Sequence, residues 1–322
     1  MNFVSIPQNG SSWQEPLIYS IASEDGSATD VVVDIFDLRT KQTVATKRLY
    51  GVSVADIDIA PYLRQASQMT IVASNSGAII DTKLSKYISL IVNGVPSESR
   101  IFLPSGFDTS TMQMLSSVED SQKLEVGGTI LFTLFAPTAV TVVATCITPV
   151  DRREYQVQWS GMNGIVDVVL PTSQFPISTM LVNVDIYSGS TLFKRLTYSI
   201  VRQENATRRL YWRKEDGGVD SYNFPHWVRL AASVSVEQFE TTTASCSKLR
   251  SAKRSYRLCS AFESHDEIER ITEIIRAPSI YEIVSNKARE VKLDSRTIEY
   301  GSHGKLRQLS LEITEEWKGG AK

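Results

Sequence analysis

Residues 129–150 read TILFTLFAPTAVTVVATCITPV, a nearly uncharged stretch that decides the class of fold. The stretch is long enough to cross a bilayer as a helix, but Pro137 lies near its centre and β-branched residues dominate it. Branched side chains lose rotamer freedom in a helix and pack well on a pleated sheet. We therefore predict two buried strands, joined at Ala136-Pro137-Thr138, and no membrane span.

Strand patterns continue after this stretch at close spacing. Gly161, Gly164 and Gly189 mark turns between them, because glycine adopts the positive φ angles that tight turns use. Many short strands with regular turns are typical of an immunoglobulin-like or fibronectin-like sandwich, and we expect Trp159 to pack in its interior. The strands are predicted at about 128–135, 139–147, 154–159, 165–170, 180–187 and 191–201.

The first region of the chain has the same character. Residues 30–38 and 43–50 flank a short polar loop and predict a hairpin. Residues 87–92 run into Asn93-Gly94, a dipeptide that suits a tight turn, and then into a further strand. From 104 to 123 the composition shifts to Ser, Thr, Gln, Asp and Met without a sustained period, which indicates a connection between domains.

The last third of the chain mixes strands with one helix. Ser264 and Glu267 have capping-box spacing at the start of this helix, and Pro278 ends it. Its apolar residues Ile268, Ile271, Ile274 and Ile275 form one stripe, which we expect to lie on a sheet. That sheet is predicted from strands at 210–212, 219–225, 255–262, 279–284, 290–293, 297–300 and 309–317.

These patterns predict a mainly β protein. We expect tandem antiparallel β-sandwich domains, followed by a C-terminal α+β domain that carries one amphipathic helix on a sheet. The predicted division is an N-terminal sandwich at 1–104, a linker at 105–121, an immunoglobulin- or fibronectin-like sandwich at 122–203 and the α+β domain at 204–322.

Composition limits the chemistry available to the 322 residues. With 42% hydrophobic and 22% charged residues the chain is an ordinary globular protein, and a formal net charge of -2 provides no positive field for nucleic acid. Three histidines and three cysteines are few for an enzyme, and the irregular cysteine spacing predicts no disulfide framework. Residues 1–10 have no signal-peptide pattern, so we expect synthesis and retention in a cytoplasm.

Motifs of known chemistry are missing from the sequence. It contains no G-x-x-x-x-G-K-[ST], G-x-G-x-x-G, H-E-x-x-H or G-x-S-x-G pattern, and the glycines at 301–305 are expected to form a hairpin turn. Cys246 and Cys259 lack partners for a zinc site, and Asp56 and Asp58 are expected on a solvated strand face rather than on a cation. We predict no catalytic residue, cofactor or metal.

Two further clusters have simple structural explanations. Residues 248–257 contain Lys248, Arg250, Lys253, Arg254 and Arg257, and we expect a solvated strand face or a subunit contact rather than a nucleic-acid site. His226 stands between Pro225 and Trp227, and we expect this group to pack under a loop.

Residues 210–224 read LYWRKEDGGVDSYNF, an aromatic strand followed by a Gly-Gly turn and a second strand. This segment resembles one found in structural proteins of tailed bacteriophages and prophages. The capped helix at 266–278, the strand at 280–283 and the closing strands near 309–313 are similar to the β-rich domain of distal-tail, hub or adaptor proteins. The resemblance covers about a third of the chain, from 205 to 317.

The resemblance implies a virion protein without catalysis, assembled in the bacterial cytoplasm into rings or tubes through edge strands and loops. Its expected partners are copies of itself and other virion proteins, with a host surface glycan as a further candidate. The residues expected at the interaction surface are Trp212, Asp216, Gly217, Gly218, Tyr222, Phe224 and Trp227.

Two other classes of function remain open from the sequence. A carbohydrate-binding or adhesion module would use exposed aromatic rings such as Trp212 and Trp227. A glycosidase would need two carboxyl groups about 5 to 10 Å apart in a cleft, a distance that sequence does not reveal.

Overall fold

The computed structural model describes residues 1–118, 121–202, 207–240, 245–294 and 299–318. Strands hold 59% of the residues and helices 7%, which confirms the predicted mainly β class. Within the described residues, no helix is both long enough and apolar enough to cross a membrane.

The first region folds into two antiparallel sheets that face each other. One sheet has the order β1-β2-β5, and the other has the order β4-β3-β7-β8, with β9 also paired to β7. The strands of these sheets are β1 (Asn2–Ser5), β2 (Ile18–Ala22), β3 (Thr29–Asp37), β4 (Gln42–Val52), β5 (Val54–Asp58), β7 (Lys86–Val92), β8 (Val95–Pro96) and β9 (Arg100–Phe102). The first region also contains α1 (Ala60–Gln65) and β6 (Ala78–Asp81), which belong to neither sheet.

Alternation along these strands explains the first core. Val31, Val33 and Ile35 of β3 point inward, and every second residue between them points outward, as expected for a strand with one buried face. Both predicted hairpins are present. Lys41 has φ +55° in the β3–β4 turn, and Asn93 and Gly94 have φ +49° and +84° in the β7–β8 turn.

The middle region forms a second sandwich. Its sheets have the orders β10-β12-β15-β6 and β11-β17-β16-β13-β14, and all neighbours are antiparallel except β11 and β17. The elements are β10 (Gln113–Met114), β11 (Ser121–Glu125), β12 (Thr129–Ala136), β13 (Val140–Ile147), β14 (Arg152–Trp159), β15 (Gly164–Pro171), β16 (Leu181–Ser188) and β17 (Thr191–Val201).

The two strands predicted from residues 129–150 are confirmed as β12 and β13, in opposite sheets. All eight residues of β12 are buried, whereas buried and half-buried residues alternate along β13. The difference arises because β12 has protein on both faces. Phe132 and Leu134 face the sandwich core, and Leu131 and Phe135 pack on neighbouring parts of the chain.

Strands from outside 122–203 complete the middle sandwich. β6 belongs by sequence to the predicted N-terminal domain, yet it pairs with β15. The predicted linker supplies β10, which pairs with β12, and buries Met112 and Leu115. The first region and the linker are therefore interlocked with the middle sandwich, and the division into separate domains stays a prediction.

The third region is one large antiparallel sheet with a helix. The order is β19-β18-β22-β23-β25-β21-β20, and β24 also pairs with β25. The elements are β18 (Arg208–Arg213), β19 (Val219–Phe224), β20 (His226–Glu240), β21 (Ser245–Cys259), α2 (His265–Thr272), β22 (Ser279–Val284), β23 (Lys287–Leu293), β24 (Glu299–His303) and β25 (Leu306–Lys318).

Helix α2 confirms the sequence prediction. The Ser264 hydroxyl accepts a hydrogen bond from the Glu267 amide at 3.3 Å and so satisfies one of the free amides at the helix start. Ile268, Ile271 and Ile274 are buried on the sheet, together with Trp212 and Leu258. The Glu267 carboxylate pairs with Arg270 one turn later.

Strands β20 and β21 form a long hairpin that the sequence patterns did not reveal. They pair from His226 opposite Cys259 to Glu240 opposite Ser245, and β25 pairs with β21 only as far as Ser251. We call β20 and β21 the arm. Apolar residues stand at every second position from Val228 to Val236, but both faces of β20 are exposed there, so the pattern does not mark a buried face.

Trp159 is half-buried at the rim of the middle sandwich rather than in its interior. Its indole covers Gly161 and Gly164, where an added Cβ would lie 2.4 and 2.6 Å from ring atoms. The two glycines were predicted as turn residues, and the structure adds a packing reason for them.

Buried tyrosines are expected to make the fold less stable at alkaline pH. Burial raises the pKa of Tyr19 to about 12 and also raises the pKa of Tyr198, because the phenolate is poorly solvated in the core. Unfolding frees these phenols to ionise, so we expect the free energy of unfolding to fall between about pH 10 and 12, by about 2 to 3 kcal/mol for Tyr19. Urea denaturation at a series of pH values measures this fall. Tyr198→Phe should reduce it, whereas Tyr50→Phe, at an exposed site, should leave it unchanged.

Candidate functional site

Most of the predicted interaction surface lies inside the protein. Trp212 and Phe224 are fully buried, and Tyr222, Gly217 and Gly218 are also buried. The prediction of a surface at these five positions is wrong. Trp212, Tyr222 and Phe224 lie on the sheet face that α2 covers. The two glycines lie against residues of the first region and the linker, with Pro104 near Gly217 and Leu115 near Gly218.

Trp227 is half-buried, and Asp216 is the remaining predicted residue with partial exposure. The Trp227 ring meets Tyr256 edge-on with centroids 5.8 Å apart, and the Arg208 guanidinium carbon is 5.9 Å from the ring centroid. His226 is exposed at the start of β20 rather than packed under a loop, which corrects that expectation.

The Gly-Gly turn lies where the third region meets the rest of the chain. The Gly217 amide donates to the Lys214 carbonyl at 3.0 Å, and the Gly218 amide donates to Asp216 Oδ1 at 2.7 Å. Gly217 has φ +89°, a left-handed conformation that favours glycine. A Cβ on Gly218 would lie 2.2 Å from the Leu115 carbonyl oxygen, so this backbone approach requires glycine.

Arg213, the last residue of β18, makes a buried ion pair with Asp167 of β15. Its Nη1 and Nη2 donate to the two carboxylate oxygens at 2.9 and 2.6 Å, and neither side chain is exposed beyond 2%. The same nitrogens donate to the carbonyls of Gly217 and Thr70, both at 2.8 Å. One guanidinium therefore contacts the first, middle and third regions at once.

Hydroxyl groups extend this ion pair into a network. Thr133 Oγ1 donates to Asp167 Oδ1 at 2.7 Å and accepts from the Val219 amide at 3.0 Å. Ser116 Oγ accepts from the Thr133 amide at 2.8 Å and donates to the Val219 carbonyl. We call Arg213, Asp167, Thr133 and Ser116, with the backbone groups that they bind, the junction network.

Further hydrogen bonds and apolar packing surround the junction network. Tyr211 is buried and its hydroxyl donates to the Thr129 carbonyl at 2.7 Å, and the Ser279 hydroxyl donates to the Met69 carbonyl. Two mixed clusters of side chains from different regions close the interior. They are Ile71, Leu131, Val169, Tyr211, Val219 and Tyr281, and Leu84, Ile101, Leu103, Leu115, Phe135 and Ile165.

A cleft of about 430 Å³ opens beside the junction network, between the first and third regions. Lys214, Asp216 and Glu273 line it, and Asp220 lies next to it with Oδ2 3.8 Å from Lys214 Nζ. Burial raises the pKa of Asp220 and Glu273, and the Lys214 charge opposes both shifts. Asp216 accepts a hydrogen bond from the Gly218 amide, and Asp220 accepts one from the Ser117 amide. Both carboxylates therefore hold the backbone of the turn and the linker in place.

The carboxylates considered for a cation also bind protein groups. Asp58 accepts from the amides of Leu17 and Ala60 at 2.9 and 3.0 Å, and exposed Asp56 accepts from the Ser20 hydroxyl. In the part of the chain that the structure describes, no three or more His, Cys, Asp or Glu residues are grouped to hold a metal.

The basic tract 248–257 is part of β21. Arg257 pairs with Glu312 of β25 at 2.8 Å, and Lys253 and Arg254 stand opposite Glu316 and Glu315 in the strand register. Acidic residues of β25 therefore neighbour the tract, which supports the strand-face explanation. Cys246 and Cys259 lie on the same strand, about 43 Å apart at the rise of a β-strand, so they do not meet.

No protein-family model matches this chain, and no curated protein matches it.

The junction network predicts a strong effect of breaking its ion pair. We expect Asp167→Leu or Arg213→Met to lower the free energy of unfolding by about 3 to 5 kcal/mol, because each leaves the other member of the buried pair without its partner. The double variant Asp167→Leu with Arg213→Met should lose less than the sum of the two single changes. Urea denaturation of the four proteins measures this, and strict additivity would contradict coupling of the two side chains.

The close approach at the Gly-Gly turn predicts a second stability effect. We expect Gly218→Ala to lower the free energy of unfolding by about 2 to 4 kcal/mol, because the new methyl group collides with the Leu115 backbone. Gly301→Ala is the matched control, since its Cβ would make only ordinary contacts with Gln308. Equal melting temperatures for the two variants would show that the turn has room for a side chain.

Proposed function

We propose that this chain is a non-enzymatic virion structural protein, a β-rich subunit of a bacteriophage tail or head–tail assembly. It acts through protein–protein contacts with copies of itself and with other virion proteins. The resemblance of residues 210–224 to tail proteins suggests the class, and the arm supplies the main structural support.

The arm supports assembly because it presents strand surface without a partner in the described chain. β20 is fifteen residues long and forms one end of its sheet. An end strand exposes a row of backbone donors and acceptors, and pairing with another chain satisfies them. Surface valines on the same strand add apolar area to such a contact.

The interlocked interior also suits an assembly subunit. A component of a ring or tube must hold its interfaces at constant relative positions. Separate domains on flexible linkers move relative to one another, so their interfaces would not stay in place. Here the junction network binds Thr70, Asp167 and Gly217, one residue from each region, to one guanidinium. The three regions therefore present their surfaces as one unit.

The aromatic residues do not favour the carbohydrate-binding alternative. Trp212 is fully buried, and Trp227 packs against Tyr256 and Arg208. Sugar-binding sites use exposed ring faces, and neither residue provides one in full. We therefore keep the structural subunit as the proposal.

Particles from the organism that encodes this chain test the proposal. We expect mass spectrometry of purified particles to detect the chain in a fixed ratio to the other virion proteins, and immunogold labelling to place it at the tail or neck. Absence from intact particles, with the protein present in the lysate, would contradict the proposal. Ribosomal proteins measured in the same fractions control for carry-over.

A further inference from the structure

The edge of β20 is unlike the other sheet edges. The segment 230–236 reads LAASVSV, without charge, glycine or proline, and Val228, Leu230, Val234 and Val236 of this strand are 63%, 45%, 62% and 51% exposed. A long exposed strand of this composition pairs readily with another strand. Among the described residues, β21 is the only strand that pairs with β20.

Other end strands are protected in ways that β20 is not. β4 carries Lys47 and Arg48, and β14 carries Arg152 and Arg153, and charged edges oppose pairing. The opposite end of the same sheet, β19, is covered by the middle region, where Val219 and Asp220 bond to Ser116 and Ser117. The remaining described end strands have five residues or fewer, as the bounds of β1, β5, β6, β8, β10 and β11 show.

We infer that β20 pairs antiparallel with β20 of a second copy of this chain, about a two-fold axis near Ser233. The inference deepens the proposed function, on which it rests for its biological setting, by naming the surface through which copies associate. The contact is isologous, because one surface meets itself, and it joins the two large sheets into one.

Geometry places the axis at Ser233. The pairing of β20 with β21 is irregular between Arg229 and Ala231 and again between Ser235 and Val236, and it is regular from Ala231 to Ser235. Four of these five central residues, all except Val234, are alanine or serine, so a second strand approaches the backbone with little hindrance. Ser233 lies at the middle of this regular stretch.

Charge selects the antiparallel direction. The first half of β20 contains the positive charge of Arg229, and the second half contains Glu237 and Glu240. Antiparallel pairing about Ser233 brings the Arg229 end of one strand beside the Glu237 end of the other. Parallel pairing places like charges together and is disfavoured.

Sedimentation velocity over a hundredfold range of concentration tests the pairing. We expect the wild-type chain to form a dimer, and Val234→Lys to weaken the dimer by about tenfold or more, because it places charge at the centre of the contact. Val150→Lys is the matched control, since it adds the same charge at a 92% exposed turn residue. A wild-type monomer at every concentration, or an undiminished Val234→Lys dimer, would overturn the inference.

Charge exchange tests the direction of pairing and guards against a folding defect in Val234→Lys. Arg229→Glu and Glu237→Arg should each weaken the homodimer, because like charges then meet at both ends. An equal mixture of the two variants should recover the dimer, since the mixed pair again joins Glu to Arg at each end. Damage within a single chain is not repaired by mixing, so a mixture as weak as the separate variants would overturn the antiparallel pairing.

The two proposals fail in different ways. If the chain is present in particles but does not dimerise through β20, the proposed function stands and this inference fails. If the chain dimerises through β20 but is absent from particles, the strand pairing stands and the proposed function fails.

Discussion

One guanidinium holds the three regions of this protein in contact. Arg213 binds Asp167 through both carboxylate oxygens and also binds the carbonyls of Thr70 and Gly217. Removing two charges from water is costly, and the pair is tolerated because both Nη atoms and both carboxylate oxygens are hydrogen-bonded, while Arg213 Nε has no partner among the described residues. The close backbone approach at Gly218 and the complete burial of β12 both depend on this junction. The interior is continuous as a result.

Outside this interior, the arm is exposed along β20 from Val228 to Val236. The residues that looked like a surface in the sequence, Trp212, Tyr222 and Phe224, form the core beneath α2. The surface that the structure offers instead is β20, whose small and apolar residues form a strand edge that no further strand of the described chain pairs with. These aromatic residues therefore stabilise the fold, and the association between copies that we propose uses backbone pairing.

Local sequence patterns predicted the local structure well. The residues 129–150, the Asn93-Gly94 turn and the Ser264 cap were each placed correctly, because each depends on neighbours within a few residues. Predictions of exposure failed at Trp212 and Phe224, since burial depends on which elements pack above a strand. The arm was missed although apolar residues stand at every second position from Val228 to Val236, and the structure leaves both faces of this stretch exposed.

The sequence by itself determined a mainly β chain, its hairpin turns and the amphipathic helix, because backbone propensity and hydrophobic period are local properties. Only the tertiary structure decided that β6 joins the middle sandwich, that Arg213 meets Asp167 across 46 positions, and that β20 is an open edge. These features depend on strand order and on contacts between distant residues. Many arrangements share the same local pattern, and packing selects among them.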